Sequence, residues 1–256
     1  MKSFVVLSAL LTVALAAPSP NAISRSIARR RATREHQKAK AHPAHDDYDL
    51  NWAGAVVTGD DITEASGSFK VLTASVPTKQ EAGEKEYTAS AWVGLSGYSD
   101  CDGLWQAGVD SIVESSGETS FYAWYEWYPA DTQVIDIGDL SAGDVITVNV
   151  TASSSTKGSV VLENTTTGKK FSKTVTSSDK LCLTDAEWIL EDVTFEDDST
   201  GLADFGSVTF SDVSYVESGS TSSAISSADI MDIEDDEDNK LTSTKVSGDT
   251  VVVTYV

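Results

Sequence analysis

The sequence predicts an all-β fold, one β-sandwich of about 210 residues built from short strands. Three observations predict it. From Asn51 to Val256 the chain runs in short β-branched or aromatic segments that often alternate in polarity. Gly, Ser, Asp and Thr punctuate those segments. No long stretch repeats apolar residues with a helical period, and the abundant Ser and Thr suit pleated surfaces and turns better than helices.

The N-terminus is read apart from that domain. Lys2 precedes an apolar run from Phe4 to Ala17, with small residues at Ala14, Ala16 and Ala17 and Pro18 just beyond. This is the pattern of a secretory signal, here residues 1–17, and the run is too short to span a bilayer. Residues 18–45 hold Arg25, Arg29, Arg30, Arg31, Arg34, Lys38 and Lys40 against one acid, Glu35, and also all three His. They read as a basic propeptide, with Arg29-Arg30-Arg31 suited to a protease that cuts after basic pairs. Residues 46–256 form the mature domain, the boundary falling within residues 32–50. No repeat or linker divides it.

Charge constrains the partners. The whole chain carries −22, and after Lys40 there are ten Lys against 39 Asp and Glu, a net −29. Nucleic acid and anionic membrane surfaces are poor partners for such a domain. Its own leader is a good one. That attraction weakens as carboxylates protonate near pH 4, so the leader is expected to shield the domain near neutral pH and leave in acid.

Along the domain, the runs at Gly67–Val71, Ser90–Gly94, Ile146–Val150 and Val251–Tyr255 read as strands. Ser222–Ile233 is the exception, read as a helical turn ahead of an acidic loop, Glu234–Asp238. That loop lacks the ordered spacing of an EF-hand and reads as solvated. Cys101 and Cys182 are the only Cys, and an even pair in a secreted chain reads as one disulfide. Asn149-Val150-Thr151 and Asn164-Thr165-Thr166 are N-glycosylation sequons.

The residue types present limit the chemistry. With no His after His45, the domain holds no Ser-His-Asp triad, no Cys-His dyad and no His-ligated zinc. No cofactor or metal is expected. Carboxylates remain for proton transfer, supported by amides, aromatics and hydroxyls. Three segments stand out: Leu104–Asp110, Phe121–Pro129 and Leu181–Asp192. As strands they place Gln106 with Leu104 and Gly108 on one face, and Tyr122, Trp124, Glu126 and Tyr128 on another. Glu187 shares its face with Ile189, a partly apolar setting that would raise its pKa.

In order along the chain, Asn51-Trp52-Ala53-Gly54, Ala91-Trp92-Val93-Gly94, Gln106-Ala107-Gly108, Trp124-Tyr125-Glu126-Trp127-Tyr128-Pro129, Ala186-Glu187-Trp188 and Phe205-Gly206-Ser207-Val208-Thr209-Phe210 resemble the glutamic peptidases of filamentous fungi, the eqolisins. The resemblance covers essentially the whole mature domain. It implies a lectin-like sandwich of two antiparallel sheets, a substrate lying across a concave face, and a monomeric, secreted, pepstatin-insensitive acid endopeptidase acting on proteins and peptides. It also implies a catalytic pair, Gln106 and Glu187, with Trp92, Trp124 and Glu126 lining the site. One position departs from the pattern. Four residues after Trp92 the family usually has Asp, and this chain has Ser96, which hydrogen-bonds but carries no charge.

The two Cys lie five residues before Gln106 and Glu187 respectively. A disulfide between them would set two strands running the same way, next-but-one neighbours roughly 10 Å apart in an antiparallel sheet. Two rival readings stand beside the peptidase. A lectin or glycoside hydrolase would use aromatics and a carboxylate pair such as Glu126/Glu187, but has no need of the Gln106 amide. An inactive family member kept as a binding protein is the reading that Ser96 favours.

Overall fold

The computed structural model describes residues 48–49, 51–78, 86–99, 101–193, 200–235 and 237–256. Residues 1–45, read as signal and leader, lie outside the described residues. In chain order the strands are β1 (Tyr48–Asp49), β2 (Trp52–Thr58), β3 (Ile62–Lys70), β4 (Glu86–Leu95), β5 (Leu104–Glu114) and β6 (Thr119–Tyr128). There follow β7 (Gln133–Ile135), β8 (Val145–Ser154), β9 (Lys157–Asn164), β10 (Lys169–Thr176), β11 (Asp185–Glu191) and β12 (Thr200–Leu202). The chain ends with β13 (Ser207–Glu217), β14 (Ser220–Ser222), β15 (Asp229–Ile233), β16 (Thr242–Ser247) and β17 (Thr250–Tyr255).

Two sheets result. The front sheet has the order β1-β15-β2-β11-β4-β5-β6-β7, with β12 beside β4. The back sheet has the order β10-β9-β8-β3-β13-β17-β16, with β14 beside β13. Pairing is antiparallel apart from two short parallel contacts, β1 with β15 and β12 with β4. The described residues contain no α-helix. This is the all-β, two-sheet architecture that the alternating segments predict.

Burial distinguishes the sheets. In β8 and β9 buried and half-buried residues alternate, the pattern of a strand with one face on a core and the other on water. In β4 and β11 every residue is buried, so the central front strands are covered on both faces. Their inner faces join the main core, where Trp105, Trp127 and Trp188 meet Phe69, Phe210 and Ile146 of the back sheet. Their outer faces carry a second apolar cluster, with Trp52, Trp92, Leu104, Trp124, Ile189 and Met231 among its members. Truncating one of these indoles to Ala would cost about 3–5 kcal/mol.

The outer face of the back sheet is held differently. Its cross-strand partners are hydroxyls: Ser66 with Ser214 at 2.8 Å, Ser68 with Thr147 at 2.9 Å, and Ser159 with Thr174 at 3.1 Å. Such pairs contribute a few tenths to about 1 kcal/mol each.

One expectation is corrected. The stretch Ser222–Ile233 holds no helix. Ile225–Ala228 closes a turn through a 3.0 Å bond from the Ala228 N–H to the Ile225 carbonyl, and Asp229–Ile233 is β15, paired with β2 and β1. Free strand edges on both sides of β15 win over weak local propensity.

Candidate active site

Cross-strand register builds the site. On the outer face of the front sheet, Glu187 of β11 lies opposite Gly94 of β4. Gly94 lies opposite Gln106 of β5, and Gln106 opposite Glu126 of β6. Three polar residues named from the sequence therefore stand in one row with a glycine between Glu187 and Gln106. β5 and β11 both run antiparallel to β4, so they run the same way as next-but-one neighbours, about 10 Å apart.

Gly94 lets side chains close in over the middle of the row. A Cβ there would come 2.8 Å from Glu187 Oε2 and 2.8 Å from Trp92 Cζ3. Gly108 does the same one row along, lying between Trp92 and Trp124. A Cβ at Gly108 would fall 2.3 Å from the Ala91 carbonyl oxygen.

The acids are buried but not alike. Glu187 is 0 % and Gln106 2 % exposed. Glu187 Oε1 accepts the N–H groups of Gly97, at 2.5 Å, and Tyr98, at 3.2 Å. Among the described residues Oε2 has no hydrogen-bond partner, and neither has Gln106 Oε1. Gln106 Nε2 donates to Glu126 Oε2 at 3.3 Å, and Thr132 donates to the same oxygen at 3.2 Å. Buried polar atoms are rarely left incomplete, and two of those here belong to the residues on either side of Gly94.

Burial pushes the Glu187 carboxyl well above the usual glutamate range, and the charge and hydrogen bond of Asp185 push it the same way. Asp185 moves in the opposite direction. Burial alone would raise it, but hydrogen bonds from Glu187, Ser99, Tyr98 and Thr184 overcome that, leaving its carboxyl below the ordinary value. Of this pair, Glu187 is the weaker acid and Asp185 the stronger.

The loop after β4 is tied to the segment before β11. Cys101 and Cys182 form a disulfide with a Cα–Cα distance of 5.8 Å. Ser96 is buried, and its Oγ accepts the Leu183 N–H at 2.9 Å. Ser96 and Leu183 both have positive φ, 70° and 60°. Ser96 thus braces the neighbouring turn.

The two tryptophans are fixed by acids that sequence reasoning did not assign. Trp92 Nε1 donates to Glu191 at 2.9 Å, and Trp124 Nε1 to Asp110 at 2.7 Å. Asp110 also receives Ser90 Oγ at 2.6 Å and the Tyr122 hydroxyl. The signal that could have found them is period-two alternation, since Asp185, Glu187 and Glu191 share one face of β11, and Gln106 and Asp110 one face of β5.

The sequons differ. Asn149 is half-buried on the back sheet, and its Nδ2 donates to Glu64 at 2.6 Å. Asn164 is 0 % exposed, gives its Nδ2 to Asp144 at 2.9 Å, and accepts the N–H groups of Thr166 and Thr167. A glycan on Asn164 would have to break this turn.

A two-sheet sandwich with Glu187 and Gln106 on either side of Gly94 can be compared with known proteins. Residues 50–255 match the peptidase A4 family, and the chain belongs to that family. More particularly, it is a glutamic-type endopeptidase, a hydrolase of the eqolisin group. It is 42 % identical to Aspergillopepsin-2 of Aspergillus niger, over 83 % of this chain and 79 % of that protein. It is 35 % identical to Scytalidopepsin B of Scytalidium lignicola, over 98 % of this chain and 97 % of that protein. Among solved structures it is similar to scytalido-glutamic peptidase bound to a transition state analog inhibitor, with TM-score 0.70 and 34 % identity, covering 81 % of this chain and 99 % of that one. The aspergilloglutamic peptidase of Aspergillus niger gives TM-score 0.61 and 46 % identity, covering 66 % of this chain and 99 % of that one.

Proposed function

We propose that the protein is a secreted, pepstatin-insensitive acid endopeptidase in which Glu187 and Gln106 carry the chemistry. The observation that carries this reading is the row itself: a buried carboxyl and a buried amide on either side of Gly94, each with an oxygen that has no hydrogen-bond partner among the described residues. Glu187 Oε2 takes a proton from a water whose oxygen attacks the scissile carbonyl carbon. A Gln106 N–H donates to the oxygen of that carbonyl as charge develops on it. The C–N bond then breaks, and the proton on Glu187 passes to the leaving amine. An amide suits the second role because it donates and accepts hydrogen bonds and stays neutral in acid. The raised Glu187 value makes its ionised form a stronger base toward the water than an ordinary carboxylate, and the proton it gains there is the one it returns to the leaving amine.

The glycosidase reading needs a second acid aimed at the reaction, and Glu126 is instead bonded to Gln106 and Thr132. The basic segment 18–45 is a shielding leader in this reading, supported by the charge contrast. Burial of Glu187 and Gln106 also calls for an opening step before a peptide reaches them.

The test is hydrolysis of a denatured protein at pH 2–6 with pepstatin present. Glu187→Gln is expected to lose about 10²–10⁴-fold in rate and Gln106→Ala about 10²–10³-fold. Activity surviving in Glu187→Gln would sink the mechanism. An inactive, correctly processed wild type would favour the binding-protein reading. The same assay near pH 6, with and without residues 18–45, tests shielding, and equal rates would overturn it. Product retained inside the producing cell would overturn secretion.

A further inference from the structure

We propose that Asp185, clasped by the 96–99 loop, is the electrostatic partner of Glu187 and a positioning residue for its acid–base chemistry. The proposal rests on the reading of Glu187 given above and deepens it.

The geometry is a shared clasp. Asp185 Oδ1 accepts the Tyr98 N–H at 3.0 Å, and Oδ2 accepts the Ser99 N–H at 3.3 Å, Ser99 Oγ at 2.6 Å and Thr184 Oγ1 at 2.7 Å. The same Tyr98 N–H reaches Glu187 Oε1 at 3.2 Å, beside the bond from Gly97. One short loop therefore distributes its N–H groups over two carboxyls two residues apart on the same face of β11. Both are 0 % exposed.

Two buried carboxyls this close do not ionise together. The one with more donors keeps the charge, and that is Asp185, with two hydroxyls beyond its N–H bonds. Its charge then disfavours ionisation of Glu187, as the directions of their shifts show. The other groups facing Glu187 do not explain this. Its partners across the ladder, Val56 and Gly94, have no ionisable group. Glu126 stands beyond Gln106 in the row and is bonded to it. Glu191, four residues along, is engaged with Trp92, and Tyr98 contributes its backbone N–H. The chain also places this carboxylate opposite Ser96, whose N–H donates to the Asp185 carbonyl at 3.1 Å. The loop thus has a charged neighbour although position 96 itself has none.

The experiment is a carboxyl ¹³C titration of Glu187 in the full-length folded domain, the resonance being identified by its loss in Glu187→Gln. Asp185→Asn is expected to shift the Glu187 midpoint to lower pH. At the pH where the wild type is half-ionised, the variant would be more than half-ionised. The limb of the kcat/KM profile that reports Glu187 moves the same way. Asp185→Glu, which restores the charge, is expected to bring the midpoint back up. Ser99→Ala removes a loop contact without removing the charge and should leave the midpoint near that of wild type. Asp185→Ser gives the same reading should the Asn variant fail to fold. An unmoved midpoint in Asp185→Asn, or an equal shift in Ser99→Ala, would overturn the proposal. The titration does not depend on turnover, so it separates failure of this inference from failure of the catalytic assignment.

Discussion

Gly94 shows how a residue without a side chain acts in this site. It sits in an ordinary strand between Glu187 and Gln106, and its missing Cβ leaves a gap that Glu187 Oε2 and the Trp92 ring close over. Gly94→Ala is expected to fold, because the strand backbone suits alanine, but to push against Glu187 Oε2 and the Trp92 ring. Overpacking of this kind costs typically about 1–3 kcal/mol. The expected outcome is a modest fall in Tm with a much larger fall in kcat, read by thermal denaturation beside the peptidase assay. Unchanged kcat would mean that the gap is not used. At this scale the sequence was informative about Gln106, Glu187, Trp92, Trp124 and Glu126, because the ordered motifs carry them. It was silent on Asp185, Asp110 and Glu191. Their roles come from which side chain lies across the ladder or against a loop, and register is not written in any one strand.

Between β4 and β11 the functional unit is a pair of tied loops. Residues 97–99 supply N–H groups to two acids, and the nearby Cys101–Cys182 bridge joins this side of the site to the segment that leads into β11. The bridge closes a loop of 81 residues, which in the chain-entropy account contributes about 4 kcal/mol. Replacing both Cys with Ser is expected to lower stability by about that amount, and to weaken activity more than a cut in stability alone would. Denaturant titration and kcat measured below the unfolding transition check the two parts separately. A stable but slow variant would show that the bridge positions the loop. Unchanged stability would exclude the bridge as a constraint on the unfolded chain. Strands such as β8 and β17 were legible because one face is wet and the pattern alternates. β15 was not, since its five residues, Asp-Ile-Met-Asp-Ile, follow a run of Ser and Ala, and their strand state comes from pairing with β1 and β2.

Across the molecule, two carboxyls give stability opposite pH responses. Glu187 has a folded value above its ordinary 4.5. Its favourable contribution is therefore complete below about 4.5 and is lost as pH rises through the folded value. Asp185 has a folded value below 3.8, so its contribution is present above that and is lost as pH falls through the folded value. The surplus of acids over ten Lys after residue 40 adds self-repulsion as pH rises. Tm is expected to peak in mild acid and decline on both sides. Glu187→Gln should flatten the decline toward neutral pH, measured by thermal denaturation from pH 2 to 7. A slope equal to that of wild type would remove Glu187 from this account.

The hydroxyl pairs of the back sheet have a consequence of their own. Ser66–Ser214, Ser68–Thr147 and Ser159–Thr174 neither gain nor lose protons in acid. Whatever pH does to the acids of the two sheets, these three seams keep the same strength. Part of the frame thus stays constant while the row it supports changes state, so the protein can respond to acid at one place without loosening everywhere.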